Sequence, residues 1–172
     1  MKKIALFFAL LWCINTNAQI QRTLYGQTLG VSTLDDLRKV ANERGLSIER
    51  LSDVVFEIKS VTFGGYSWDR ASFRYNKKKL VMVSFSKEVS NRNKIEKEIL
   101  FDIYINLDRS LSNKYSNYLV KRSNDYINAV WFKDGTTSVE LKHADFDIST
   151  TLLLRYDDLQ SEKMEKGGDD EL

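Results

Sequence analysis

Two hydrophobic periodicities alternate along this chain, one helical and one strand-like, and the alternation happens twice. Between about Leu34 and Arg44, the residues Leu34, Leu37, Val40 and Ala41 recur on one helical face. Ser32 or Thr33 stands where a cap is needed, with Asp35 or Asp36 three residues on, as in a capping box. Gly45 follows in the position that tolerates positive φ. Three period-two runs come next: Val54-Phe56-Ile58, Ala71-Phe73-Tyr75 and Val81-Val83-Phe85. Alternation of this kind predicts strands with one buried face. A longer helix is then predicted from about Asn93 to Tyr115, with Ile95, Ile99, Ile103, Leu107 and Leu111 as its apolar stripe. Further strands are predicted at Tyr118–Arg122, Tyr126–Lys133, Thr136–His143 and Ile148–Tyr156, the middle two joined at Asp134-Gly135. The pattern predicts an α+β fold of two successive helix-then-antiparallel-sheet units. With no Gly/Ser-rich linker between halves at about 19–90 and 91–156, they form one compact domain over 19–156.

The first 18 residues read differently. Met1-Lys2-Lys3 is basic, Ile4 to Ile14 is almost wholly apolar, and Thr16-Asn17-Ala18 ends on a small residue. That is the layout of a secretory signal peptide, too short for an ordinary spanning helix of ~20 apolar residues. Cleavage after Ala18 predicts an exported protein beginning at Gln19, periplasmic or extracellular, with no transmembrane segment left. Lipidation at Cys13 is the alternative, disfavoured because Trp12 stands where a small residue is usual. Removing 18 of 172 residues leaves 154, enough for one good core. Removing Lys2 and Lys3 from 26 basic residues leaves 24 against 24 acidic ones. A general attraction to nucleic acid is therefore not expected. Removal of Cys13, the only cysteine, also excludes disulfides, thiol catalysis and thiolate-bound metal. At the other end, Asp157 to Leu172 carries seven acids and two bases and reads as a solvated acidic tail.

Catalytic signals are sparse. His143 is the only histidine, no Gly-x-Ser-x-Gly elbow surrounds a serine, and no Gly-rich loop joins a strand to a helix. No cofactor is implied. The one ligand-like spacing is His143-Ala144-Asp145-Phe146-Asp147, where alternate residues of an extended chain share a face. One imidazole and two carboxylates suit Zn²⁺ or Mn²⁺. The plainer reading, which we favour, is a polar strand end with an Asp-rich turn. Lys77-Lys78-Lys79 reads as a solvated hairpin tip.

Strand parity makes a stronger suggestion. If Ala71, Phe73 and Tyr75 face the core, then Tyr66, Trp68, Arg70 and Arg74 face away from it. By the same logic Trp131 and Arg155 point outward. Tyr, Trp and Arg are the residues enriched at binding hot spots. The expectation is an exported, non-enzymatic module that binds another exported or envelope protein through this face. The alternatives are a metal-binding protein or metal-dependent hydrolase using His143, Asp145 and Asp147, and a structural or assembly component of the envelope.

Some of these residues carry a resemblance. Phe63-Gly64-Gly65-Tyr66-Ser67-Trp68, the strand Val81-x-Val83-x-Phe85, Lys114-Tyr115 and Leu152-x-Leu154-x-Tyr156-Asp157-Asp158-Leu159 resemble a group of small exported proteins of Gram-negative gut bacteria. The tandem plan is similar to the β-lactamase-inhibitor-like fold and to the outer-membrane assembly lipoproteins that share its unit. The chain departs from the pattern at Cys13 and at Ser116, where glycine is usual. The resemblance implies a fold whose relatives bind proteins through a sheet face, and fold alone does not establish function.

Overall fold

The structure, a computed structural model, describes residues 19–124 and 127–161; the signal-peptide and Cys13 readings and most of the acidic tail lie outside the described residues. A small hairpin, β1 (Thr23–Leu24) and β2 (Gln27–Thr28), precedes helix α1 (Leu34–Glu43) and strands β3 (Ile48–Arg50), β4 (Val55–Phe63), β5 (Tyr66–Asn76) and β6 (Lys79–Ser90). Helix α2 (Lys94–Lys114) leads through a 3₁₀ turn into β7 (Leu119–Asn124), β8 (Ile127–Lys133), β9 (Thr137–Asp145) and β10 (Ser149–Asp158). All strands from β3 onward join one eight-stranded sheet in the order β3-β4-β5-β6-β10-β9-β8-β7. Every pairing in it is antiparallel.

Both helices begin as their sequences dictate. At α1, Thr33 accepts from the Asp36 amide while Asp36 accepts from the Thr33 amide at 2.7 Å, a reciprocal capping box. That arrangement satisfies two amides which the first helical turn leaves without partners. These bonds hold the Asp36 carboxyl below its usual range. At α2 the cap is Asn93, whose side chain accepts from the Glu96 amide at 3.2 Å.

The face that α2 buries differs from the expected stripe. Leu100, Tyr104, Leu107 and Leu111 pack into the core, while Ile95 is 71% and Ile99 52% exposed. The reason is geometric. A helix advances 100° per residue, so a strict i+4 series drifts by roughly 40° at each step and spirals around the axis. The 4-3-4 spacing of Leu100, Tyr104, Leu107 and Leu111 cancels the drift and stays on one side.

Two hairpin turns also differ from simple expectation. Between β8 and β9 the expected Asp134-Gly135 connection is made by a side chain. Asp134 Oδ1 accepts from the amides of Thr136 and Thr137, both at 2.7 Å, and Gly135 needs no positive φ. These bonds lower the Asp134 pKa although partial burial opposes them. Left-handed pairs instead turn the other hairpins at Tyr25-Gly26, Gly64-Gly65 and Lys77-Lys78, the last without a glycine and with φ of 45° and 67°.

One core spans the sheet on the helix side. Leu37 and Ala41 of α1 and the buried side of α2 pack on Phe73, Val83, Phe85, Leu141 and Leu154. The segment before α1 joins the same layer through Ile20, Leu24 and Leu29. An ion pair at 2.7 Å between half-buried Arg22 and buried Asp158 ties it to the end of β10. Asp157 and Asp158 are thus strand residues and Leu159 is buried, its amide donating to the Thr136 carbonyl at 2.9 Å. The expected tail boundary at Asp157 is corrected on this account: the folded body runs at least through Leu159.

Candidate functional site

Since α1, α2 and the N-terminal segment all pack on one side of the sheet, its other side is left uncovered by any described element. The register defines what stands there. Glu57 of β4 lies opposite Ser72 of β5, which faces Ser84 of β6, then Arg155 of β10, Glu140 of β9, Trp131 of β8 and Lys121 of β7. In the neighbouring row, Arg70 stands beside Ser86, Leu153 and Lys142. In the row on the other side, Arg74 stands beside Met82 and Asp157. Alternate residues of a strand share a face, so these rows are one continuous surface.

Of the six residues singled out from sequence, Arg70, Arg74, Trp131 and Arg155 stand on this open face. Arg70 is exposed and the others are half-buried. Arg70 pairs with Glu88 at 3.8 Å, and Arg155 with Asp157 at 2.7 Å. Lys121 holds its ammonium 5.6 Å from the centre of the Trp131 ring, within cation–π range. Arg74 also borders a cleft of about 270 Å³ between the end of β5 and Ser161.

Tyr66 and Trp68 are corrections. Trp68 is only 2% exposed and lies in the core 5.9 Å from Phe85, its Nε1–H donating to the Phe63 carbonyl at 3.0 Å. Tyr66 is half-buried and packs against the same core. The cause is a slip in side-chain alternation that no residue type announces. Ser60 adopts φ 54° within β4, and both Lys59 and Ser60 turn outward, so burial passes from Ile58 to Val61. Across the pairing, β5 slips in step, with Trp68 and Ala71 buried and Asp69 and Arg70 between them. Parity counted from Ala71 back to Trp68 therefore gives the wrong face.

The metal candidates do not converge. His143 faces the helix side, 6% exposed, with its ring 5.3 Å from Phe101 and 5.8 Å from Tyr104. Its Nε2 has no hydrogen-bond partner, and burial pushes the imidazole pKa down. Asp145 is engaged by the Thr150 hydroxyl and by Lys97 at 3.3 Å, and these contacts lower its pKa. Asp147 lies in the turn before β10. Among the described residues, no group of three His, Cys, Asp or Glu side chains stands close enough to hold a metal ion. Alternation along β9 does place His143 and Asp145 on one side, but that side is packed against α2.

No family model matches this sequence, no curated protein is similar to it, and no solved structure matches its fold. Among the described residues no helix is long and apolar enough to cross a membrane. Function has to be read from this chain's own surfaces.

Proposed function

We propose that this chain is an exported, non-enzymatic module that binds another exported or envelope protein through the open face of its sheet. The observation that carries the reading is the uncovered face itself. A sheet eight strands wide places both helices on one side and leaves Arg70, Arg74, Trp131 and Arg155 on the other. A rigid strand lattice holds such side chains at fixed spacing, which lowers the ordering cost of association. Trp131, on β8 beside the β7 edge, is the natural aromatic anchor, since tryptophan and arginine dominate hot spots. The arginines would pair with partner carboxylates, bidentately where geometry allows.

The fold is read here as two successive units, each a helix followed by four antiparallel strands. In support, β3 to β6 follow α1 and β7 to β10 follow α2. The last strands of the two series, β6 and β10, pair with each other at the middle of the sheet. On this reading the seam of the two units runs down the centre of the binding face. Export rests on the residue pattern of the first 18 positions.

The test is affinity capture from the native envelope with the 19–172 chain as bait, wild type against Trp131→Ala and Arg155→Ala. Specific capture lost in the face variants, with folding intact, is the expected result. Capture that both variants leave unchanged would sink the reading.

A further inference from the structure

We infer that the occupant of the open sheet face is an acidic protein segment, one that presents several carboxylates to Arg74, Lys142, Lys133 and Lys121. This rests on the protein-binding reading above and adds the chemistry of the partner. Acidic and basic residues of the chain from Gln19 onward balance, yet on this face they do not. Several of its cations are already matched: Arg155 by Asp157, Arg70 by Glu88, and Lys59 by Glu49 at 2.6 Å. What remains is mostly positive. Arg74, Lys142 and Lys133 make no ion pair among the described residues, and Lys121 rests over the Trp131 ring. Against them stand Glu140, between Arg155 and Trp131, and Glu57, which is buried and takes the Ser72 hydroxyl at 3.3 Å.

The spacing of these groups selects the size of the partner. Arg74 is on β5 and Lys142 on β9, three strand intervals apart in the sheet order. At ~4.8 Å per interval that is roughly 14 Å laterally, and Lys133 on β8 is roughly 19 Å from Arg74. No single small anion reaches across such distances, whereas a protein segment bearing spaced Asp and Glu does. The interspersed Glu57, Glu140 and Asp157 count against a uniformly charged polyanion, because each would repel a nearby phosphate. A partner surface of carboxylates mixed with neutral groups avoids those positions and still uses the Trp131 anchor.

The experiment uses the full 19–172 protein with a fluorescein-labelled, Asp/Glu-rich peptide of about twenty residues, a length-matched neutral peptide and a length-matched DNA duplex. Variants are Arg74→Glu with Lys142→Glu, Glu140→Lys, and Trp131→Ala, each checked for an unchanged thermal midpoint. The expected result is preferential binding of the acidic peptide that weakens as salt rises. It should fall by about tenfold or more in the double glutamate variant and strengthen in Glu140→Lys. Two results would overturn the inference: no preference for the acidic over the neutral peptide, or equal binding of the DNA duplex. With the native partner, capture that survives the double glutamate change but fails in Trp131→Ala defeats the acidic partner and leaves the binding face standing. Capture indifferent to every variant defeats both.

Discussion

Replacing Trp68 by alanine should destabilise this protein severely, and the size of the effect can be worked from its surroundings. The indole is 2% exposed, tilted against Phe85 at 5.9 Å, and bonded through Nε1–H to the Phe63 carbonyl. A buried tryptophan removes ~200 Å² from water, which at ~25 cal/mol per Å² is ~5 kcal/mol as an upper figure. The ring also supports Phe85, which stacks on Phe63 with centroids 4.1 Å apart, so the lost volume would loosen a second aromatic pair. Measured Trp-to-Ala costs of ~3–5 kcal/mol agree with this scale. In a chain of this length each kcal/mol lowers Tm by ~2–4 °C, so Trp68→Ala should melt ~6–20 °C below wild type in a calorimetric scan. Trp68→Phe keeps most of the apolar contact and loses mainly the bond to the Phe63 carbonyl, a change of ~1 kcal/mol. That variant also isolates Trp131, whose emission should be accessible to acrylamide while the Trp68 signal is not. A Trp68→Ala protein melting within about 2 °C of wild type would refute the packing described here and return Trp68 to the surface.

Trp131→Ala should move stability by only ~0.5 kcal/mol, since its ring is only partly covered, as urea unfolding would show. The Lys77-Lys78 turn should relax when changed to Asn-Gly. Two left-handed lysines cost ~1–2 kcal/mol each, so the exchange should raise the urea midpoint, and an unchanged or lower midpoint would mean the turn is not strained. Acid should weaken the protein through His143. Burial lowers its folded pKa below the usual 6.5, so the unfolded chain binds the proton first. Its contribution is complete above pH 6.5 and is lost as pH falls through the interval down to the folded value. His143→Phe should flatten that part of a stability-versus-pH curve. Asp158→Ala should cost ~1.5–3 kcal/mol, the scale of one charge-assisted bond, because the partly exposed Arg22 guanidinium keeps its bonds to the Thr136 and Leu29 carbonyls, and denaturant titration would register the loss.

The features legible from sequence were the local ones. Thr33 and Asp36 cap α1 because a hydroxyl and a carboxylate three residues apart reach each other's amides whatever surrounds them. Period-two runs placed every long strand, since alternation along a strand is a property of the extended backbone. The same alternation put Arg70, Arg74, Trp131 and Arg155 on one face. It misled at Trp68, where Ser60 takes a left-handed conformation and both paired strands slip together. It could not separate Ile99 from Leu100 as the residue α2 buries, because both lie in apolar stretches and only the position of the sheet selects between them.

What the sequence by itself determined was the α+β class, the order of the two helices and the seven long strands, and the capping box of α1, all set within a few residues of backbone; the short strands β1, β2 and β3 were not legible in it. Only the tertiary structure decided which side of the sheet the helices cover. That choice depends on apolar area pooled from segments far apart in the chain, Ile20, Leu37, Leu107 and Phe85 among them. By taking one side for burial, the fold left the opposite side, with its tryptophan and unmatched cations, facing water.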